Sequence, residues 1–182
     1  MPPHAVPGYD GPRPDPDRPG YASVTHTIQI NATPDEVRAW NDDPGRNLED
    51  VVRSDADFPS IAGTDPLIGD WLPGTRAGHR RRVRFTDGTY LAEEVLDDTP
   101  ARFRYLIWGF TGTQRFFVRH GLAEFRFIAH QGGTRLEWTY AFLPRAALLR
   151  PLVRRFLTTV MTPMMTATLT AMRIGVEGSS RH

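Results

Sequence analysis

The alternation of apolar and polar residues predicts a folded domain that begins near Tyr21 and opens with a β-strand. Residues 24–30 read Val-Thr-His-Thr-Ile-Gln-Ile, a branched and alternating run that is typical of a strand. Asn31 or Thr33 can cap a helix, and Pro34 suits the first helical position. Three further segments are expected: a helix to about Trp40, a helical turn over residues 47–53, and a loop-rich stretch over residues 54–78.

Asp87-Gly88 stands between two strand-like runs, which favours a two-residue hairpin turn. That turn predicts four cross-strand pairs, namely Phe85 with Tyr90, Val83 with Ala92, Arg81 with Glu94, and His79 with Leu96. All eight residues would then share one face, which is the more apolar one and so the better candidate for the interior. Arg80 and Arg82 are expected to point to solvent.

A second hairpin is predicted at Gly132-Gly133. It follows a strand in which Phe103, Tyr105 and Ile107 alternate with Arg102, Arg104 and Leu106. The turn would pair Phe127 with Trp138 and Phe125 with Tyr140, and would place these four aromatic side chains on one face. The two hairpins together indicate a sheet with one aromatic face.

From about Ala146 to Ile174 the pattern becomes helical, with an expected kink at Pro163. The run from Phe156 to Met172 has no charged residue, but six of its residues are threonines and one is proline. A buried amphipathic helix explains both its apolar stripe and its threonine side, so no transmembrane segment is predicted.

The composition excludes several classes of catalytic chemistry and of binding partner. The chain has 22 Arg, 21 Asp plus Glu, and neither Lys nor Cys. Thiolate nucleophiles, cysteine zinc sites, lysine Schiff bases and disulfides are therefore excluded. A net charge of +1 and the splitting of Arg80-Arg81-Arg82 between two faces argue against nucleic-acid binding. No spacing indicates a metal site, a phosphate loop or a nucleophile elbow, so no cofactor is expected.

The N-terminus contains no apolar run and holds 7 of the 16 prolines within residues 1–20. It fits neither a signal peptide nor a membrane anchor, and a cytoplasmic protein is the default expectation. We expect a disordered Pro/Gly-rich tail over residues 1–20, one domain over residues 21–178, and a short tail over residues 179–182.

The order of these elements resembles the START-like, or Bet v 1-like, superfamily of polyketide cyclases/dehydrases and lipid-transport proteins. The resemblance rests on Ile28-Gln-Ile-Asn-Ala-Thr-Pro-Asp-Glu-Val37, Pro73-Gly74, Arg82-Val-Arg-Phe-Thr-Asp-Gly88, Glu93-Glu-Val95, Phe103-Arg-Tyr105, Gly132-Gly-Thr-Arg-Leu-Glu-Trp138 and the long final helix. It implies an α+β helix-grip fold, in which a curved antiparallel sheet wraps around a C-terminal helix and two short helices follow the first strand. It also implies a cavity between sheet and helix, although the same aromatic residues could equally fill an ordinary core.

The cavity reading predicts a hydrophobic, aromatic or polyketide-like small-molecule ligand. Its expected contacts are Phe85, Tyr90, Phe103, Tyr105, Phe125, Phe127, Trp138, Tyr140, Val160, Met161 and Met164. Arg81, His79, Glu94 and Tyr105 are the candidate catalytic residues of a cofactor-independent cyclisation or dehydration. Two alternatives remain open: a carrier or sensor in which Arg81 and Glu94 form only a cross-strand pair, and a cochaperone-like interaction module.

Overall fold

The computed structural model describes residues 9–53 and 58–179. Its strands are β1 (Ala22–Ile30), β2 (Ile61–Ile68), β3 (Arg80–Phe85), β4 (Tyr90–Thr99), β5 (Arg102–Trp108), β6 (Val118–His130) and β7 (Gly133–Pro144). Its α-helices are α1 (Pro34–Asn41), α2 (Leu48–Val51), α3 (Arg150–Phe156) and α4 (Thr162–Ser179). The strands form one antiparallel sheet in the order β1-β7-β6-β5-β4-β3-β2. The predicted α+β helix-grip fold is confirmed.

The sheet curves around the C-terminal helix, and the core lies between them. Trp138, Phe125 and Tyr140 on the sheet are buried, as are Met164 and Met172 on α4. Burial of these large side chains is the main source of stability in such a two-layer domain.

Helix α1 begins where the sequence indicates. The Thr33 hydroxyl accepts a hydrogen bond from the backbone N–H of Glu36, and the Glu36 carboxylate accepts one from the backbone N–H of Thr33. This reciprocal capping box satisfies two donors that a helix start leaves open, and Pro34 follows without losing a bond.

The long C-terminal helix is interrupted just before Pro163. A π-helical turn over residues 157–161 joins α3 to α4, and the backbone N–H of Thr162 bonds to the carbonyl of Leu157, five residues back. Proline has no N–H and its ring crowds the preceding turn, so a wider turn at this point accommodates it. No helix within the described residues is long and apolar enough to span a membrane.

One strand lies within the stretch that the sequence predicts as loop. β2 is an edge strand that pairs with β3. Its register is interrupted twice, between Ile61 and Gly63 and between Pro66 and Ile68. Glycine and proline interrupt the alternating pattern, yet both are tolerated at a sheet edge, where one side of the strand needs no partner. The predicted loop over residues 54–78 is therefore wrong for residues 61–68, and residues 54–57 lie outside the described residues.

The β3–β4 hairpin corrects the predicted register. The loop contains three residues, Thr86 to Gly88, because the Phe85 backbone pairs with Thr89 and Gly88 adopts a left-handed conformation with φ of 81°. Arg81 therefore lies opposite Glu93, and Glu94 lies opposite Arg80. The predicted pairing of Arg81 with Glu94 is wrong, and the side chains of β4 from Tyr90 to Val95 point to the face opposite to the predicted one, up to an irregularity between Val95 and Asp97.

The β6–β7 hairpin also differs from its prediction, but its faces do not. The turn is Gln131-Gly132, one residue earlier than expected, with φ of 48° and 75°. Phe125 consequently pairs with Trp138, and Phe127 pairs with Leu136. The partners move by two positions, so the aromatic residues keep their shared inward face.

Residues 9–20 lie against the outer face of the sheet, within the segment predicted as a disordered tail. The hydroxyl of Tyr9 donates to the carbonyl of Gly109 at 2.7 Å, and its ring makes edge contacts with Tyr90 and Trp108. At the other end of the segment, the Tyr21 hydroxyl lies 2.8 Å from Nε2 of the buried His120. Residues 1–8 and 180–182 of the predicted tails lie outside the described residues.

Candidate functional site

Two compartments lie between the sheet and the helices. The inner cavity has a volume of about 70 Å³ and is bordered mainly by apolar side chains, among them Phe58, Val83, Phe85, Leu91, Ile107, Phe142, Phe156, Met161 and Met164. The tryptophan cleft, about 350 Å³, is bordered by Trp71, Trp138, Phe103, Phe125, Arg76 and Arg81. Leu48, Val52 and Tyr105 border both, so α2 and one tyrosine form the boundary between them. The cleft is large enough for a small ring system, whereas the inner cavity must widen to accept one.

An ion pair crosses this boundary. Arg81 borders the cleft and Glu93 borders the inner cavity, and Nε and Nη2 of Arg81 lie 2.8 Å and 2.7 Å from Oε2 of Glu93. The guanidinium also stacks on the ring of Trp71 at 4.1 Å. Both side chains are largely buried, so the pair presents a fixed dipole to whatever occupies the two compartments.

Two tyrosine hydroxyls stand beside the ion pair. The hydroxyl oxygens of Tyr105 and Tyr140 are 3.2 Å apart and buried. Burial raises the pKa of both phenols well above the usual value, and the negative charge of Glu93 raises each pKa further. Both hydroxyls therefore keep their protons at neutral pH. One proton lies in the bond between them, so the pair can donate one hydrogen bond to a carbonyl or an enolate oxygen.

Trp138, which borders the cleft, carries a buried donor without a partner among the described residues. Trp138 is 2 % exposed, and its indole Nε1 makes no hydrogen bond within the described part of the chain. An unmade hydrogen bond at a buried polar group is costly, and such groups in native proteins ordinarily meet a ligand or a water. Within the described ranges, Trp138 thus places a buried N–H without a partner in the wall of the cleft.

The end of the cleft is closed by a network of charges. Nε of Arg76 lies 2.9 Å from Oδ2 of Asp98, and its Nη2 lies 2.8 Å from Oδ1 of Asp42. Arg38 joins Asp42 and Asp98 from α1, and it lies over the rings of Phe103 and Phe127. Burial would raise the pKa of Asp98, but hydrogen bonds and charge from Arg76, with the charge of Arg38, lower it to about 2.

Most of the predicted ligand contacts lie at these compartments. Phe85, Tyr105, Tyr140, Met161 and Met164 border the inner cavity, and Phe103, Phe125 and Trp138 border the cleft. Tyr90 borders the inner cavity only at its edge, since its ring meets Tyr9 on the outer face. Two predicted contacts border neither compartment: Phe127 packs under Arg38, and Val160 lines an outer groove.

The predicted catalytic set is only partly assembled. Arg81 and Tyr105 lie at the compartments, whereas His79 packs against Gly69 and accepts a hydrogen bond at Nδ1 from the backbone N–H of Trp71. Glu94 lies on the outer face with Arg80 and Arg13. The side chain that sequence reasoning missed is Glu93, which the two-residue turn assigns to the outer face. A three-residue reading of Thr86-Asp87-Gly88 would have placed it correctly.

Residues 21–177 match the family described as polyketide cyclase/dehydrase and lipid transport. The chain belongs to this family. The match begins at the first strand and ends in the last helix, so it covers the whole helix-grip domain. No functionally curated protein matches the sequence.

Solved structures with the same fold include proteins of differing function. An aromatase/cyclase of a Streptomyces species, Zhui, is 21% identical with a TM-score of 0.60, over 87% of this chain and 94% of that one. Norcoclaurine synthase of Thalictrum flavum is 13% identical with a TM-score of 0.64, over 90% and 99%. The di-domain aromatase/cyclase StfQ of steffimycin biosynthesis is 9% identical with a TM-score of 0.65, over 89% of this chain and 53% of that one. At these identities the similarity shows the fold of this family member and not its reaction.

Proposed function

We propose that this family member binds a hydrophobic, aromatic or polyketide-like small molecule across the inner cavity and the tryptophan cleft, and catalyses its cyclisation with loss of water. The observation that carries the proposal is the Arg81–Glu93 ion pair at the boundary of the two compartments. A general base, a cation and two protonated phenols are thereby gathered in an otherwise apolar interior. The family description and the aromatase/cyclase relatives support this choice of reaction.

The reaction needs no redox partner. Glu93 accepts a proton from a carbon that lies between two carbonyls, and the guanidinium of Arg81 stabilises the enolate oxygen. The enolate carbon attacks a second carbonyl of the same molecule, which forms one C–C bond and an alkoxide that takes a proton from Tyr105. In the dehydration, the Tyr105 phenolate takes a second C–H proton, and the protonated Glu93 returns its proton to the departing hydroxyl. Water leaves, a C=C bond forms, and both side chains regain their starting protonation states. The electron count is unchanged, because a proton and a hydroxide leave together.

Two adjacent glutamates make a matched test. Glu93→Gln removes the proposed base inside the cavity, and Glu94→Gln makes the same chemical change on the outer face. With a synthetic poly-β-ketone thioester as substrate, we expect Glu93→Gln to lower turnover by about 10²- to 10⁴-fold, the usual contribution of a positioned base. Glu94→Gln should retain turnover to within about twofold, because its carboxylate does not reach the cavity. Products are followed by liquid chromatography and mass spectrometry.

Binding is measured separately, by fluorescence of anilinonaphthalene sulfonate and its displacement by the thioester. Retained binding together with lost turnover in Glu93→Gln supports catalysis. Equal product formation without protein would remove the enzymatic proposal, and the chain would then be a carrier or sensor of the same class of ligand. Failure of the thioester to displace the dye would overturn the assignment of the binding site itself.

A further inference from the structure

One surface of the molecule combines exposed apolar side chains with unpaired arginines. Phe116, Leu148 and Leu152 are 64%, 80% and 45% exposed. Around them in the chain stand six arginines: Arg115, Arg119, Arg145, Arg150, Arg154 and Arg155. We refer to these nine residues as the arginine-rich face. Large exposed apolar side chains grouped in this way usually mark an interaction site.

The two segments of this face are held together by the backbone. The N–H of Arg145 bonds to the carbonyl of Phe117 at 2.9 Å, and Nε of Arg145 donates to the carbonyl of Arg115 at 2.6 Å. Nη2 of Arg119 donates to the carbonyl of Arg145 at 3.3 Å. The short helical turn at residues 113–116 and the start of the C-terminal helix therefore form one continuous surface.

The arginines of this face have few carboxylates near them. Asp15 lies near His120, the neighbour of Arg119 in the chain, and accepts a hydrogen bond from the backbone N–H of Asp17. None of the six arginines forms an ion pair with a carboxylate in the part of the chain that the structure describes. Residues 109–123 and 138–176 contain no Asp or Glu. Asp87 borders the same groove as Arg155, but its carboxylate already accepts two hydrogen bonds from Thr89. A chain of net charge +1 thus carries a strongly cationic surface.

One part of the arginine-rich face lies beside the inner cavity. The groove that contains Leu152 and Arg155 shares five bordering residues with that cavity, namely Pro59, Thr89, Gly112, Gln114 and Phe156. These five residues separate the groove from the cavity, so this part of the face lies directly beside the inner cavity.

We propose that the arginine-rich face docks on an anionic lipid surface. The arginines contact lipid phosphates, and Phe116, Leu148 and Leu152 enter the boundary between headgroups and acyl chains. An acidic protein surface would match the charge alone, whereas a lipid surface also buries the three apolar side chains. The apolar stripe of α4 faces inward and is already buried against the sheet, so the contact is peripheral.

The test is co-sedimentation with vesicles of phosphatidylcholine, with and without phosphatidylglycerol. We expect binding only when phosphatidylglycerol is present, and weaker binding as the salt concentration rises. Arg154→Gln with Arg155→Gln should lower the partition coefficient about 25-fold, at about fivefold for each arginine removed. Leu148→Ser with Leu152→Ser should lower it by about tenfold at unchanged charge.

Matched controls come from surfaces far from this face. Arg126→Gln with Arg173→Gln removes the same charge, and Ile68→Ser with Ile174→Ser removes exposed apolar side chains of similar size. All these positions are on the surface, so circular dichroism should show every variant folded.

Equal loss of binding in test and control pairs overturns the proposal, as does absence of binding to phosphatidylglycerol vesicles. Binding to polyglutamate without binding to vesicles would assign the face to an acidic protein instead. Dye binding in the cavity should not change in any arginine variant, so this result is independent of the proposed function.

Discussion

Two ion pairs of identical residue types lie back to back across the β3–β4 hairpin, and they differ in what surrounds them. Arg81 and Glu93 face the cavity, beside Trp71 and Tyr105. Arg80 and Glu94 face outward, where Nε and Nη2 of Arg80 lie 3.0 Å and 2.6 Å from Oε2 of Glu94. The outer pair is covered by the N-terminal segment, whose Gly11 carbonyl accepts a hydrogen bond from Arg80 at 2.9 Å.

The comparison shows that burial alone does not distinguish a functional charge pair from a structural one. Glu93 and Glu94 are each 6% exposed. Trp108 and residues 9–13 pack against the outer pair, and neither Arg80 nor Glu94 borders the inner cavity or the tryptophan cleft. The inner pair borders two compartments, so a ligand or water can reach it. Access to an open volume is the property that makes one of the two pairs chemically usable.

The largest effect on stability is expected from removing the carboxylate of Glu94 or of Glu93. Glu94→Ala leaves the buried Arg80 without its counter-charge, and we expect the free energy of unfolding to fall by about 3 kcal/mol. Glu93→Ala should cost about 1–2 kcal/mol, since water in the cleft can solvate Arg81. Urea unfolding followed by circular dichroism measures both. A larger loss of stability in Glu93→Ala than in Glu94→Ala would contradict the conclusion that water reaches only the inner pair.

The N-terminal segment supplies the second test. Tyr9→Ala removes the edge contacts with Tyr90 and Trp108 and the hydrogen bond to the Gly109 carbonyl. We expect a loss of about 1–2 kcal/mol in the free energy of unfolding, below the values for a fully buried aromatic residue, because Tyr9 is half-buried. Dye binding in the cavity should be unchanged. A comparable loss of dye binding would mean that the outer cover and the cavity are coupled.

Asp98, on the same strand as both glutamates, provides a test by pH. Its folded pKa of about 2 is below the ordinary value of 3.8, so its charge stabilises the fold above pH 4. That contribution is lost as pH falls from about 4 to about 2. With allowance for solvent screening, Asp98→Asn should be less stable than the parent by about 1–2 kcal/mol at neutral pH, and the difference should shrink over that pH range. A constant difference between pH 6 and pH 2 would show that the charge of Asp98 is not what stabilises this network.

The two hairpins show how far sequence can predict such a site. The structure differs from the prediction at both turns. The observed pairing is shifted from the predicted one by two positions in β6–β7 and by one position in β3–β4. Side chains alternate along a strand, so an even shift preserves the face and an odd shift inverts it. The aromatic wall was therefore predictable from Phe125, Trp138 and Tyr140, whereas the carboxylate was assigned to Glu94 in place of Glu93.

Other parts of the site depend on contacts that local sequence does not encode. His79 alternates with Arg81 and Val83, which predicts an inward side chain. In the structure its imidazole ring packs against Gly69, in the loop after β2, where φ is 73° and no side chain blocks the contact. That loop was not predicted to follow a strand, so the contact could not be foreseen. The fold itself was predictable, because its elements depend on caps, turns and hydrophobic periodicity that are local.

The π-helical turn over residues 157–161 has a consequence for helix phase. Val153 and Met172 are both fully buried and lie 19 positions apart, which at about 100° per residue would place them about 100° from each other on an unbroken α-helix. One extra residue in a turn cancels that angle and brings both side chains to the same side. Deletion of a single residue here would rotate α3 against α4 by a quarter of a turn, and Arg154 and Arg155 would rotate with it. The orientation of the α3 part of the arginine-rich face thus depends on one inserted residue.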